Sequence, residues 1–81
     1  MENEPVSYTY RFVSDGKIIK EIDQIEPSRK NEADMALVWH NINSRVLIYR
    51  YPCDENNEAV GRPVLIFDPD RYMKYSIPDF R

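Results

Sequence analysis

The chain of 81 residues contains one cysteine and one histidine. A single thiol, Cys53, cannot form an internal disulfide, which excludes the small secreted domains that depend on several disulfides. The N-terminal residues Met-Glu-Asn-Glu-Pro are acidic, whereas a secretory signal begins with basic residues followed by an apolar stretch. We therefore expect a reducing, cytoplasmic environment.

Glycine and long apolar runs are also scarce. The two glycines, Gly16 and Gly61, are isolated, so the glycine-rich loops that bind phosphate in nucleotide-binding proteins are missing from the sequence. No apolar run approaches the ~20 residues that cross a lipid bilayer. We expect a protein that binds no cofactor and does not enter a membrane.

The composition is typical of one small globular domain over residues 1–81. Hydrophobic residues make up 42% of the chain and charged residues 31%, which is apolar enough to fold. Fourteen acidic and eleven basic residues give a net charge of −3, the wrong sign for binding duplex phosphates. We expect residues 1–6 to be frayed and 76–81 to form an extended tail. Small chains of this kind are common in bacterial and phage genomes, so we expect a bacterial or phage origin from size alone.

The strongest local pattern predicts a β-hairpin over residues 7–25. Tyr8, Tyr10 and Phe12 alternate with smaller or polar residues, which is typical of a half-buried strand. Asp15 and Gly16 follow, and Asp-Gly between two strand-like runs is a strong turn signal. The returning strand, residues 18–25, has an imperfect alternation that places Ile18 and Ile22 on one face and Ile19 and Ile25 on the other.

A second hairpin is predicted over residues 45–67. Residues 45–51 are β-branched and aromatic, and we expect Pro52 to end this strand because proline cannot donate a ladder hydrogen bond. A polar loop, residues 53–61, leads to a returning strand at 63–67. Asp68 as N-cap and Pro69 at the first helical position then predict a short helix over 68–75.

The segment between the hairpins is ambiguous. Asn31 as N-cap and acidic residues in the first turn favour a helix over 31–41, with Ala33, Ala36, Leu37 and His40 on one face. The alternative is a strand over 34–41. The sequence thus predicts an α+β fold, a small antiparallel sheet of two hairpins with one helix packed on a face. If 34–41 is a strand, the alternative is an all-β five-stranded small barrel.

Catalytic and metal-binding patterns are weak. His40 is the single histidine, so nucleophilic chemistry would require it to pair with Cys53 or a carboxylate. A position at a helix C-terminus, where a protonated histidine is favoured, explains His40 better. The acidic segment 54–58 resembles the start of a calcium loop, but Ala59 stands where that loop needs glycine. We expect no catalytic, cofactor-binding or metal site, and a protein that is not an enzyme.

The aromatic residues carry the functional hypothesis. They make up 12% of the chain, which is more than so small a core hides completely, and tyrosine, tryptophan and arginine are favoured at protein interfaces. We expect a non-enzymatic protein–protein interaction module of the inhibitor or adaptor type. The candidate partner-binding residues are Tyr8, Tyr10, Trp39, Tyr49, Tyr51 and Phe80. Phe80 and Ile77 place apolar groups in the tail, which docks either on its own sheet or on a partner, and a sheet edge offers a route to a homodimer.

The alternative function is binding of single-stranded nucleic acid on the sheet. Its candidate residues are Tyr8, Tyr10, Phe12, Arg11 and Arg50, since aromatic rings stack on bases and arginine contacts the backbone. Within the strand at 45–51, Tyr49 and Tyr51 face one side and Arg50 the other, so rings and charge do not converge there. Nucleic acid is therefore the less favoured partner.

Overall fold

A computed structural model of the chain describes residues 5–70. It contains four antiparallel strands and one helix: β1 (Ser7–Ser14), β2 (Lys17–Ile25), α1 (Lys30–His40), β3 (Leu47–Cys53) and β4 (Val64–Phe67), in the sheet order β2-β1-β3-β4. The α+β prediction with two hairpins is confirmed, and the alternative of a barrel is not needed. The predicted tail, residues 76–81, lies outside the described residues.

The first hairpin turns where the sequence predicts. Asp15 and Gly16 both have positive φ, 54° and 78°, as the tight turn of a two-residue hairpin requires. The register shifts between Phe12 and Val13, so Ile18 lies opposite Val13 while Ile22 lies opposite Tyr10. Ile18 and Ile22 therefore face opposite sides of the sheet, and the prediction that they share a face is wrong because a bulge changes the alternation.

The segment after β2 is a helix, which excludes the strand alternative for 34–41. The helix predicted over 31–41 is observed at Lys30–His40. Asn31 is not its N-cap, because the chain enters α1 directly from a 3-10 turn at Pro27–Arg29. Ala33, Leu37 and Val38 pack against the core. Ala36 and His40, expected on the packed face, are exposed.

Pro52 does not end β3, which continues to Cys53. On one side of β3, Pro52 lies opposite Tyr8 of β1. On the side away from β1, the carbonyl of Pro52 accepts a hydrogen bond from the amide of Val60. The nitrogen of Pro52 points to the same side as its carbonyl, beyond the end of β4. Proline is tolerated there because no ladder bond from β1 or β4 requires its missing N–H.

The core lies between the sheet and α1. Its buried members come from three strands: Tyr10 and Phe12 of β1, Ile48 of β3 and Phe67 of β4. They lie on the sheet face that carries the helix, so the fold has two layers around one small core.

In the last described turn, the Asp68 carboxylate accepts a hydrogen bond from the Asp70 amide at 3.1 Å, as the predicted N-cap requires. The rest of the predicted helix, to residue 75, lies outside the described residues.

Within residues 5–70 we find no helix with the length and apolarity needed to span a membrane.

Candidate functional site

The structure distributes the candidate partner-binding residues over separate places. Trp39 is exposed on α1. Tyr8 and Tyr10 lie on the sheet face that carries α1, whereas Tyr49 and Tyr51 alternate to the opposite face. Phe80 lies outside the described residues. Tyr10 is fully buried, so its role in this fold is packing against the helix, and the four described residues that keep some exposure do not form one surface.

A groove with a largely apolar lining lies between α1 and β4. It has a volume of about 500 Å³. Its walls are apolar and its floor is charged; the lining residues are Asp34, Met35, Val38, Trp39, Arg50, Val64 and Ile66. We call this feature the α1–β4 groove.

Large side chains at the rim of the α1–β4 groove are unusually exposed. Met35 is 72% exposed, Trp39 71% and Val64 45%. Met35 and Trp39 are four residues apart, so they lie one above the other on the helix and form a ridge along the groove. Neither Met35 nor Val64 was a candidate from sequence. The signal that could have found Met35 is this spacing, which sets the pair apart from the Ala33–Leu37 face that packs on the core.

The floor of the groove is an ion pair held by the core. Arg50 of β3 pairs with Asp34 of α1, with only 12% and 23% of their side chains exposed. The Tyr10 hydroxyl donates a hydrogen bond to Asp34 at 2.5 Å, and the Arg50 guanidinium lies 5.3 Å from the centre of the Tyr8 ring. These contacts fix the rim of α1 relative to the sheet, so the groove is preformed.

Burial raises the pKa of the Tyr10 hydroxyl well above its ordinary value. The hydrogen bond to Asp34 and its negative charge act in the same direction, since both disfavour a tyrosinate, and the positive charge of Arg50 opposes them. Tyr10 is therefore a neutral donor over the physiological range, which suits its role as a support for Asp34.

The sheet face opposite α1 carries a second cluster of aromatic and charged groups. Arg11 of β1 stacks over the ring of Tyr51 of β3, with 4.6 Å between guanidinium carbon and ring centre. The Arg11 Nε also lies 2.8 Å from a Glu21 carboxylate oxygen of β2. Rings and charge thus converge across neighbouring strands. The alternation of Tyr49, Arg50 and Tyr51 within one strand predicts no such convergence, because the arginine that meets Tyr51 comes from β1.

The residues considered for catalysis are far apart in the fold. Cys53 is buried on the face opposite α1, where its thiol donates to the Thr9 hydroxyl at 3.4 Å. His40 is exposed in the last turn of α1. The sheet therefore separates the imidazole from the thiol, and the pairing that nucleophilic chemistry would need is not present between them.

The acidic loop after β3 is organised by its own hydrogen bonds. One carboxylate oxygen of Asp54 accepts from the backbone amides of Asn56 and Glu58, at 2.9 and 3.0 Å. This oxygen closes a turn, as aspartate commonly does. Across residues 5–70, no group of three or more His, Cys, Asp or Glu side chains is placed to hold a metal ion.

No family model matches this chain, and comparisons with curated proteins and with solved structures find no match either. The two surfaces of the sheet are therefore the basis for the proposed function.

Proposed function

We propose that this protein is a non-enzymatic, cytoplasmic protein-binding module of the inhibitor or adaptor type, and that it binds its partner in the α1–β4 groove. The observation that supports this most directly is the contiguous exposure of Met35, Trp39 and Val64 beside a preformed groove. Folding leaves these side chains in water, without the free-energy gain of burial, and contiguous apolar surface of this kind marks interaction sites.

The energetics of the groove suit a binding site. Burying a large apolar side chain contributes roughly 1.5–3 kcal/mol, so covering Met35 and Trp39 together would contribute on the order of 3–5 kcal/mol. Tryptophan and methionine are enriched at protein interfaces, and tryptophan is among the residues that dominate binding energy. The rigid floor of Asp34 and Arg50 reduces the entropy lost on binding, because the groove does not have to form.

The shape of the groove favours an amphipathic helix as the bound element. Met35 and Trp39 form a ridge with helical spacing, and α1, at eleven residues, is about 16 Å long. A partner helix of two to three turns with apolar side chains at i, i+3 or i+4, and i+7 would pack against this ridge and fill the groove. Arg50 and Asp34 offer the partner one polar contact of each sign at the floor.

A peptide library selected against the full chain tests this proposal. Trp39 is the single tryptophan, so its fluorescence reports directly on the groove. We expect enriched peptides to carry apolar residues at helical spacing, to shift the emission of Trp39 to shorter wavelength, and to bind Met35→Ala at least tenfold more weakly. Tyr49→Ala, a change on the opposite sheet face, is the matched control and should bind as the unchanged protein does.

The opposite pattern would overturn the proposal. If the selected peptides bind without changing the emission of Trp39 and lose affinity with Tyr49→Ala instead of Met35→Ala, the binding surface is the other sheet face. If no selected peptide binds and the Trp39 emission is unchanged throughout, the α1–β4 groove is not a helix-binding site.

One observation favours binding of single-stranded nucleic acid as a second candidate. Arg11 and Tyr51 lie on the two central strands of the face opposite α1, which is where sheet modules stack RNA bases. Against it, Arg11 is paired with Glu21, and Tyr10, Phe12 and Arg50 lie on the helix side. Titration with a short oligo-uridine at low salt tests this: tyrosine fluorescence quenching that disappears with added salt would support it, and no quenching would exclude it.

A further inference from the structure

The sheet face opposite α1 is apolar over much of its area. Strand alternation and register place aliphatic and aromatic side chains from all four strands on it, together with Arg11 and Glu21. We call this the open face; its apolar members are Val13, Ile18, Leu47, Tyr49, Tyr51 and Leu65. Ile18 is 53% exposed and Leu65 37%, so the apolar surface extends to both outer strands.

The described part of the chain covers only one end of the open face. There the loop after β3 folds back so that Ala59 forms a bridge with Cys53, and Cys53 and Thr9 are buried. The helix packs on the other side of the sheet, where the core lies. A sheet that is apolar on both faces is stable in water when a second layer covers each of them.

We propose that the open face binds the open face of a second copy of this chain, forming a symmetric dimer of two sheets packed face to face. Charge is the first argument for a second copy. Arg11 and Glu21 are register partners on neighbouring strands, so the face carries one charge of each sign side by side. A two-fold axis places Arg11 of one copy against Glu21 of the partner copy, and the same contact forms twice.

The Arg11–Glu21 pair stays accessible to a second copy. The Arg11 Nε and a Glu21 carboxylate oxygen are 2.8 Å apart, while 36% of the Arg11 side chain and 46% of the Glu21 side chain remain exposed. The exposed parts of both groups can therefore meet opposite charges on another molecule. The pair adds no net charge to the open face, although the whole chain is at −3.

The area of the open face fits a reversible dimer. With about seven residues in each of β1, β2 and β3 and four in β4, a strand spacing of about 4.8 Å and a rise of about 3.3 Å per residue give the open face roughly 400 Å². Because the loop after β3 covers one end, two copies would bury at most roughly 800 Å², which lies below the ~1,200 Å² of stable interfaces and in the range of weak, reversible ones. We therefore expect dissociation in the micromolar to sub-millimolar range, with the two sheets about 10 Å apart.

Charge reversal tests the dimer by sedimentation velocity on the full chain. Arg11→Glu puts two negative groups on each open face and Glu21→Arg two positive ones, so each variant alone should stay monomeric at concentrations where the unchanged protein dimerises. An equimolar mixture of the two variants should dimerise again, because each face then meets its opposite. Recovery on mixing is a result that a loss of folding in either variant cannot produce.

Two further variants keep the test decisive. Trp39→Ala removes a large aromatic residue from the α1–β4 groove and should leave dimerisation unchanged, which separates this inference from the proposed function. If either charge-reversal variant does not fold by circular dichroism, Leu65→Ser on the outer strand should weaken the dimer instead. The proposal is overturned if the unchanged protein is monomeric up to millimolar concentration, if both charge variants still dimerise alone, or if the folded variants fail to dimerise when mixed.

Discussion

At the scale of single residues, Asp34 connects the helix to the two central strands of the sheet. It lies on α1, pairs with Arg50 of β3 and accepts a hydrogen bond from Tyr10 of β1. Both partners are far away in sequence, 16 and 24 residues. A single sequence predicts the strand that carries Tyr10 and the helix that carries Asp34, but not their contact, since nothing local links them.

The substitution Asp34→Asn should destabilise the protein by about 2–3 kcal/mol, because it leaves the largely buried guanidinium of Arg50 without its counter-charge. The matched control is Glu32→Gln on the same helix. Glu32 is 72% exposed and lies 3.6 Å from Arg29, and such a surface pair contributes at most about 0.5 kcal/mol. Urea denaturation of both variants measures the difference; equal, small losses would show that the Arg50 pair is not important for stability.

Tyr10 makes the stability of the protein vary with pH in the alkaline range. Its pKa is raised in the folded protein from an ordinary value of 10.0, so above pH 10 the unfolded chain loses the proton while the folded chain keeps it. The free energy of unfolding then falls as pH rises toward the raised pKa, by at most about 1.4 kcal/mol per pH unit. Tyr10→Phe should remove this part of the slope. Denaturation at pH 9 and pH 11 compares the two proteins, and identical slopes would contradict the assignment.

At the scale of elements, a turn or a helix end can be predicted from the sequence when the interactions that determine it are local. The Asp15–Gly16 turn depends on two residues, and the sequence predicts it correctly. The start of α1 does not follow the expected cap at Asn31, because the turn at Pro27–Arg29 already leads the chain into helical geometry. Continuation of β3 through Pro52 depends on where β4 ends, and the strand's own sequence contains no such information.

The first turn provides a direct test of this local control. Gly16 has φ of 78° with open space where a Cβ would stand, so Gly16→Ala introduces backbone strain without a clash. We expect a loss of roughly 1 kcal/mol and a fall in melting temperature of about 4–8 °C. Gly16→Asn should lose clearly less, because asparagine tolerates positive φ. Thermal denaturation decides; if alanine and asparagine are equivalent, strain at this position does not control the turn.

At the scale of the whole molecule, the sheet separates the two surfaces that we propose for binding. The α1–β4 groove lies on the helix side, and the open face lies on the other side, so one can be occupied without blocking the other. The sequence predicts the surplus of aromatic residues that both surfaces use. It could not assign Trp39 to one and Tyr49 and Tyr51 to the other, because that division follows from the packing of α1 on a single face.

A face-to-face dimer would present its two grooves outward, on opposite sides of the assembly, and would bind two partner segments at once. We expect the unchanged protein to leave a densely coated surface of a groove-binding peptide at least about tenfold more slowly than Arg11→Glu, since a second contact raises avidity. In solution, with one free peptide per groove, Met35 and Trp39 are unchanged and the two proteins should bind equally. Mixing Arg11→Glu with Glu21→Arg should restore slow dissociation from the surface. Equal dissociation of dimer and monomer from that surface would show that both grooves of one dimer do not engage together, and an adaptor acting by bivalency would then be excluded.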